Sequence, residues 1–545
     1  MAPLGRVLVA ASGAWLSLVG VASASTVKGQ PFPSLIDVTI DDLTDGLDSG
    51  LFTSVDLVNA YIGRIEQVND ELNVVTEINP DALEIAAGLD ELRAQGEVMG
   101  PLHGIPILIK NNIATDDKMN NTAGSFSLLG AKVPHDSFMA KKLREAGAII
   151  LGKANLSQWA NYRSSNSTSG WSAHGGQVYG VYYPNMDPSG SSSGSGVASA
   201  LGLSLGTLGT EASLAPTCTS GSIISPAQRS NLVGIKPTVG LTSRHLVIPI
   251  SEHQDTIGPM TRTVKDAAII LQSIAGFDVN DNYTKAIPHC GRIPDYVAAC
   301  DAGALQGARI GIPYNILSTS VSPEMTGYWE AVELMRAEGA EIVAANWTVP
   351  SPSTSSMILQ VDFLTNVAQY LAQLTYNPYN ISTLEELREF TWTYPEEEYP
   401  DRNTATWDAA LARGFNNTDI RFWNQLQEHY YFGGEGGLLG AVERNGVDAI
   451  VMPSSSSAGR AAIQGAPIIT VPYGFLPEDT PVQANSRGLV SRGPNFPYGI
   501  SFLGGLFTEE TLIGLAYAFE QKTLNRNQVQ PYIVPDIELG DIVGF

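Results

Sequence analysis

"SFMAKKLREAGAIIL", residues 137–151, sets the fold class. A helical pattern runs from Ser137 to Ala146, Gly147 is a helix stop, and Ala148 to Leu151 form a short apolar run of strand type. Helix, glycine and buried strand in succession are α/β syntax. The alternation returns in "GARIGIP" at 307–313, "DAIVMP" at 448–453 and "APIITVP" at 466–472, apolar runs closed by proline that read as buried strands. Upstream, "FTSVDLVNAYIGRIEQV" places Leu57, Val58, Tyr61, Ile62 and Ile65 on one helical face, with Thr53 and Asp56 spaced as a capping box.

With 545 residues, 43% of them hydrophobic and 16% charged, the chain can bury a large core. No fixed-period repeat or long linker divides it, so one large α/β domain is expected. Residues 355–435 are rich in aromatic, Asn and acidic residues and read as a helical and irregular covering insertion; within it the triplet Glu396 to Glu398 reads as a solvated face. Lys plus Arg number 31 against 55 Asp plus Glu, a formal charge of -24 that repels phosphate backbones and anionic lipid. Nucleic acid is therefore excluded as an expected partner.

The first residues differ. Arg6 precedes an apolar run from Val7 to Val21 and then Ala22-Ser23-Ala24, the pattern of a secretory signal peptide at 1–24 cleaved near Ala24. That run is shorter than the ~20 residues a membrane span needs, and no later segment is as apolar, so the expectation is a secreted chain without a membrane span. Sequons at Asn120, Asn155, Asn166, Asn282, Asn346, Asn380 and Asn416 fit export. Cys290 and Cys300 are close enough in sequence for a disulfide or stand as two thiols, and Cys218 is left over.

Three segments carry candidate chemistry. In "PLHGIPILIKNN", apolar residues deliver Lys110 to the end of a buried strand, where desolvation lowers an amine's pKa and can leave it a proton acceptor, unless the side chain reaches solvent past the strand end. In "DPSGSSSGSGVASALGLSLG", hydroxyls and backbone amides crowd together ahead of small residues that suit a tightly packed helix. Gly190 to Gly194 also satisfies G-x-S-x-G, but the polar, proline-broken "YGVYYPNMDP" before it is not the strand a nucleophile elbow requires. In "TSGSIISPAQRSNLVGIKPTVGLTSR", Thr219, Ser220 and Gly221 put consecutive backbone amides beside Ser222, an arrangement suited to a developing oxyanion. No Cys/His cluster has metal-ligand spacing, and no cofactor is expected.

Together, in this order, the three segments resemble the amidase signature family, its secreted fungal type included. Lys110, Ser191 and Ser222 match its strand-end lysine, its Gly/Ser-run serine and its nucleophile turn ahead of "GIKPT"; "GPMTRTVKDAA", "DAIVMP" and "PNFPYGISFLGG" extend the likeness over residues 36–525, which implies a single α/β domain with a mixed sheet covered by α-helices and a tail at 526–545. The resemblance implies a Ser-Ser-Lys relay: Lys110 the base, Ser191 a bridging hydroxyl beside a cis peptide bond, and Ser222 the nucleophile of an acyl-enzyme formed from a small amide, without metal or cofactor. Three departures stand out: Asn111 where Asp is common, Ser220 where Gly or Asp is usual, and Ala212 to Cys218 inserted between "GTE" and the nucleophile turn. That stretch either loops outward, leaving an active amidase, or displaces the oxyanion amides, leaving a secreted pseudoamidase that binds without turnover. An esterase using the same serine is the third reading. The sequence leaves oligomeric state and substrate identity open.

Overall fold

The computed structural model describes residues 26, 27, 30–212, 221–348 and 356–544. Eleven strands form one central sheet: β1 (Val75–Ile78), β2 (Pro106–Lys110), β3 (Ile149–Ala154), β4 (Gly206–Glu211), β5 (Val233–Lys236), β6 (Thr256–Thr261), β7 (Arg309–Ile312), β8 (Glu341–Ala344), β9 (Ala449–Pro453), β10 (Ile468–Phe475) and β11 (Pro497–Leu503). Their spatial order is β8-β7-β9-β11-β10-β5-β6-β4-β2-β3-β1. The sheet is mixed. β2 runs parallel to β3 and β4, and β7 runs parallel to β8 and β9, while the middle of the sheet is antiparallel.

Local sequence explains the elements that place the site. Helix α1 (Ser54–Leu72) begins at Thr53, whose hydroxyl accepts the Asp56 N–H while the Asp56 carboxylate takes the Thr53 N–H, and it buries Leu57, Val58, Tyr61 and Ile65. Helix α2 (Phe138–Glu145) is capped by Ser137, ends before Gly147 at φ +82°, and hands the chain to β3. Helix α3 (Ser193–Ala200) is buried along its whole length. Two of its serines are satisfied by neighbouring strands, Ser195 donating to the Leu208 carbonyl at 3.2 Å and Ser199 to the Met260 carbonyl at 3.0 Å, while Ser193 donates to the Ser189 carbonyl before the helix. The "GARIGIP", "DAIVMP" and "APIITVP" runs become β7, β9 and β10.

Four helices fill most of the covering segment: Ser356–Leu371, Leu384–Thr393, Ala405–Leu411 and Ile420–Gly433. Phe363, Leu384, Leu387 and Trp407 from these helices share one apolar cluster with Trp159, Tyr162, Ile248 and Ile250. Of the acidic triplet, Glu396 and Glu398 are exposed as the solvated-face reading expects, but Glu397 is not. Glu397 is fully buried and pairs with Arg163 at 2.9 Å, while its other oxygen accepts from Ser125 Oγ at 2.6 Å and the Phe126 N–H at 2.9 Å. A buried charge is tolerated only when paired and hydrogen-bonded, which is what this carboxylate achieves by clasping the covering segment to two core loops.

The chain after 525 turns back over the N-terminal elements: Tyr532 N–H donates to the Val181 carbonyl at 2.8 Å, and Glu538 accepts the Leu35 N–H at 2.7 Å. Cys290 and Cys300 are separate free thiols, the former exposed, so the disulfide alternative is not realised. Cys218, the signal segment at 1–24 and most of the Ala212 to Cys218 stretch lie outside the described residues. Among the described residues no helix is long and apolar enough to cross a membrane.

Candidate active site

Strands β2, β3 and β4 end side by side, with Lys110 paired in register to Ala154 and Ile109 to Leu208. Carboxyl ends of adjacent parallel strands form a crevice suited to ligands. Lys110 does not reach solvent; it is fully buried. Its Nζ lies 2.8 Å from Ser191 Oγ, 2.9 Å from Thr210 Oγ1 and 3.2 Å from the Thr210 carbonyl oxygen. Burial pushes its pKa down to about 7, against smaller opposing pulls from Asp255 and Glu211.

Those three oxygens accommodate either protonation state of the amine. The Thr210 carbonyl can only accept, and Thr210 Oγ1 already accepts from Asn112 Nδ2 at 3.0 Å, so both take N–H groups from Lys110. In the neutral amine, two N–H bonds to Thr210 leave the lone pair for the Ser191 hydroxyl, whereas the ammonium donates to all three oxygens. Lys153 and Lys236 are equally buried and pushed down to about 7 and about 8, but their amines meet carbonyl oxygens and, for Lys153, the Asn121 side chain. Among the described residues Lys110 is the one buried lysine held against a serine.

The peptide bond between Gly190 and Ser191 is cis. Ser191 is fully buried, its carbonyl accepting the Ser157 N–H at 3.0 Å. Ser192, next in the chain, donates its N–H to the Ser222 carbonyl at 3.1 Å and its hydroxyl to the Thr210 carbonyl at 3.2 Å. The turn carrying Ser222, the Gly/Ser run and the end of β4 are thus laced together by backbone and hydroxyl contacts. Ser222 is 6% exposed where Lys110 and Ser191 are at 0%, so it is the member of the group that solvent reaches.

Gly221 precedes it for a steric reason. A Cβ at 221 would sit 2.4 Å from the Ala458 methyl, a contact no side chain can make. Thr219 and Ser220, expected beside it as oxyanion donors, lie outside the described residues. Asn111, the departure next to the lysine, joins the loop beyond β2 to β1: its oxygen accepts from Thr122 N and Oγ1 at 2.7 and 2.8 Å, and its Nδ2 donates to Thr76 Oγ1 at 2.8 Å.

Several supporting residues escaped the sequence reading. Glu211, 1% exposed at the end of β4, takes the Ile223 and Ile224 N–H groups at 2.7 and 3.0 Å, fixing the turn on the C-terminal side of Ser222. Burial raises its pKa, opposed by Lys236 and those two N–H groups. An acidic residue closing the small-residue strand "GTLGTE" was the available signal. Asp255, half-buried just before β6, is pushed up to about 7 by desolvation, with the Ile250 and Ser251 N–H groups pulling the other way. Glu252, His253 and Asp362 each bring a ligand-type atom within 4.8 Å of one another, although no spacing in the sequence links them; His253 Nδ1 and Ser251 Oγ both bond Asp362, at 2.8 and 2.5 Å.

The amidase family model, described simply as "Amidase", matches residues 56–462. The chain belongs to the amidase family. A relative from Arthroderma benhamiae named as an amidase is 52% identical over 539 residues, covering 94% of this chain and 90% of its own. Among solved structures, the native peptide amidase from Stenotrophomonas maltophilia is 34% identical with a TM-score of 0.80, covering 92% of this amidase and 100% of that chain. An amidase family protein from Bacillus anthracis str. Ames is 30% identical, also with a TM-score of 0.80, over 92% and 93%. This family member is an amide-hydrolysing enzyme with the α/β architecture of those neighbours.

Proposed function

We propose that the chain cleaves the C–N bond of a small amide through an acyl-enzyme on Ser222, with Ser191 bridging to Lys110 as base. The observation that carries this is the 2.8 Å approach of the buried Lys110 amine to Ser191 Oγ, beside a turn whose Ser222 carbonyl is bonded to Ser192 N–H. The Nζ lone pair takes the Ser191 proton as Ser191 takes that of Ser222, and Ser222 Oγ adds to the carbonyl carbon. The C–N bond then breaks, the proton returns through Ser191 to the departing amine, and water repeats the sequence to free the acid. With the Ile223 and Ile224 N–H groups taken by Glu211, oxyanion donors come from the other side of Ser222, where Thr219, Ser220 and Gly221 stand.

Secretion with removal of residues near Ala24 and N-glycosylation belong to the same reading, supported by the apolar run from Val7 to Val21 and by exposed sequons at Asn166, Asn282, Asn346, Asn380 and Asn416. Asn155 does not qualify as a glycan site: it is fully buried, with Nδ2 donating to the Asn73 and Gly175 carbonyls at 2.9 Å.

The test is hydrolysis of a panel of primary and peptide-like amides alongside fluorophosphonate labelling mapped by mass spectrometry. Turnover with the label on Ser222, both abolished in Ser222→Ala, is expected. Folded wild-type protein that neither turns over amides nor takes label would replace this reading with ligand binding alone.

A further inference from the structure

At the sheet edge farthest from Lys110, β7 and β8 run parallel, with Ile312 opposite Ala344. The crossover between them contains helix Pro323–Ala337, which carries Trp329. Past the carboxyl end of β7, Tyr314 stacks on Trp329, with ring centroids 5.9 Å apart and planes 16° from parallel. The two rings are 49% and 38% exposed, and Val321 nearby is 97% exposed. They border a cleft of about 300 Å³ rimmed by Ser318, Thr319 and Ser320. A flat aromatic face ringed by hydroxyls is a surface that meets the C–H face of a sugar ring with apolar contact and its hydroxyls with hydrogen bonds.

Past the carboxyl end of β8 stands the sequon Asn346-Trp347-Thr348. Asn346 is exposed, and its Oδ1 accepts the Asn315 N–H at 3.1 Å; Asn315 Nδ2 in turn donates to the Trp347 carbonyl at 2.7 Å. The acceptor asparagine is thereby tied to the residue that directly follows Tyr314. Resting on the export reading above, we propose that Asn346 carries an N-linked glycan whose first sugars lie on the Tyr314–Trp329 stack and close this cleft. The new bond joins Nδ2 to the anomeric carbon of an oligosaccharide delivered on a lipid diphosphate, which leaves as the diphosphate while Nδ2 gives up one proton.

The experiment uses the full chain secreted from a eukaryotic host, with glycopeptide mapping and timed release of glycans from the native protein by a peptide-N-glycosidase. Asn346 is expected to be occupied, and its glycan to leave roughly fivefold more slowly than from Trp329→Ala or Tyr314→Ser. Equal release rates from wild type and both variants overturn the platform. A bare Asn346 on protein whose other exposed sequons are occupied overturns the proposal while leaving export intact. Absence of secretion and of any occupied sequon overturns both.

Discussion

Thr210 holds Lys110 from two directions, its hydroxyl 2.9 Å and its carbonyl oxygen 3.2 Å from the amine. When the amine is neutral, this one residue can take both of its N–H groups, which leaves the lone pair for Ser191. Thr210→Val keeps the shape and the carbonyl but removes the hydroxyl acceptor. An N–H of Lys110 and one of Asn112 then lose their partner, at about 1–3 kcal/mol. The expected result is kcat lower by roughly 5- to 150-fold with KM little changed, read from steady-state kinetics on an amide.

Asp255 tunes the same amine where it is ionised, its own carboxyl being pushed up to about 7. A nearby carboxylate favours the ammonium form, so it raises the Lys110 pKa. Asp255→Asn retains an oxygen for the Ile250 and Ser251 N–H groups and loses the charge. Neutral Lys110 then persists to lower pH, and the acid limb of the kcat/KM profile moves downward in pH. A limb that stays put or moves upward contradicts the assignment.

These two residues show what the sequence could and could not tell. Lys110 stood out because a lysine after Ile105 to Ile109 is costly, and the sheet was legible because apolar runs closed by glycine or proline are local signals. Thr210 and Asp255 reach the lysine only through pairing of β4 with β2 and with β6, contacts between segments far apart in the chain that no spacing encodes. Glu397 was misread for the same reason. Three consecutive glutamates look solvated until Arg163, some two hundred residues upstream, is seen to meet the middle one. The small-residue run was legible as a packed helix but not for its polar accounting, since Ser192 and Ser195 donate to carbonyls of β4 and Ser199 to one of β6.

The Arg163–Glu397 pair predicts a non-additive stability result. Glu397→Ala leaves a buried guanidinium without its counter-charge and is expected to cost about 3–5 kcal/mol. The double variant Arg163→Met with Glu397→Met is expected to lose much less than the sum of the single changes. Thermal denaturation of the four proteins checks it, with limited proteolysis at 356–433 reporting whether the covering helices loosen.

Glu211 predicts a local effect. Glu211→Ala frees the Ile223 and Ile224 N–H groups and lets the turn around Ser222 drift, whereas Glu211→Gln keeps an acceptor there. Fluorophosphonate labelling of Ser222 is expected to fall by about tenfold or more in the alanine variant and to recover substantially in the glutamine variant.

The most direct test of the relay is the pH dependence of the rate at which a fluorophosphonate inactivates the wild-type enzyme, since that step needs an activated serine but no leaving amine. Because only the uncharged Lys110 amine can accept the proton, the rate is predicted to rise with pH through a midpoint near 7 and to be lost in Lys110→Ala. A rate that is flat across the neutral range, or a midpoint near the ordinary lysine value of 10.5, would contradict it.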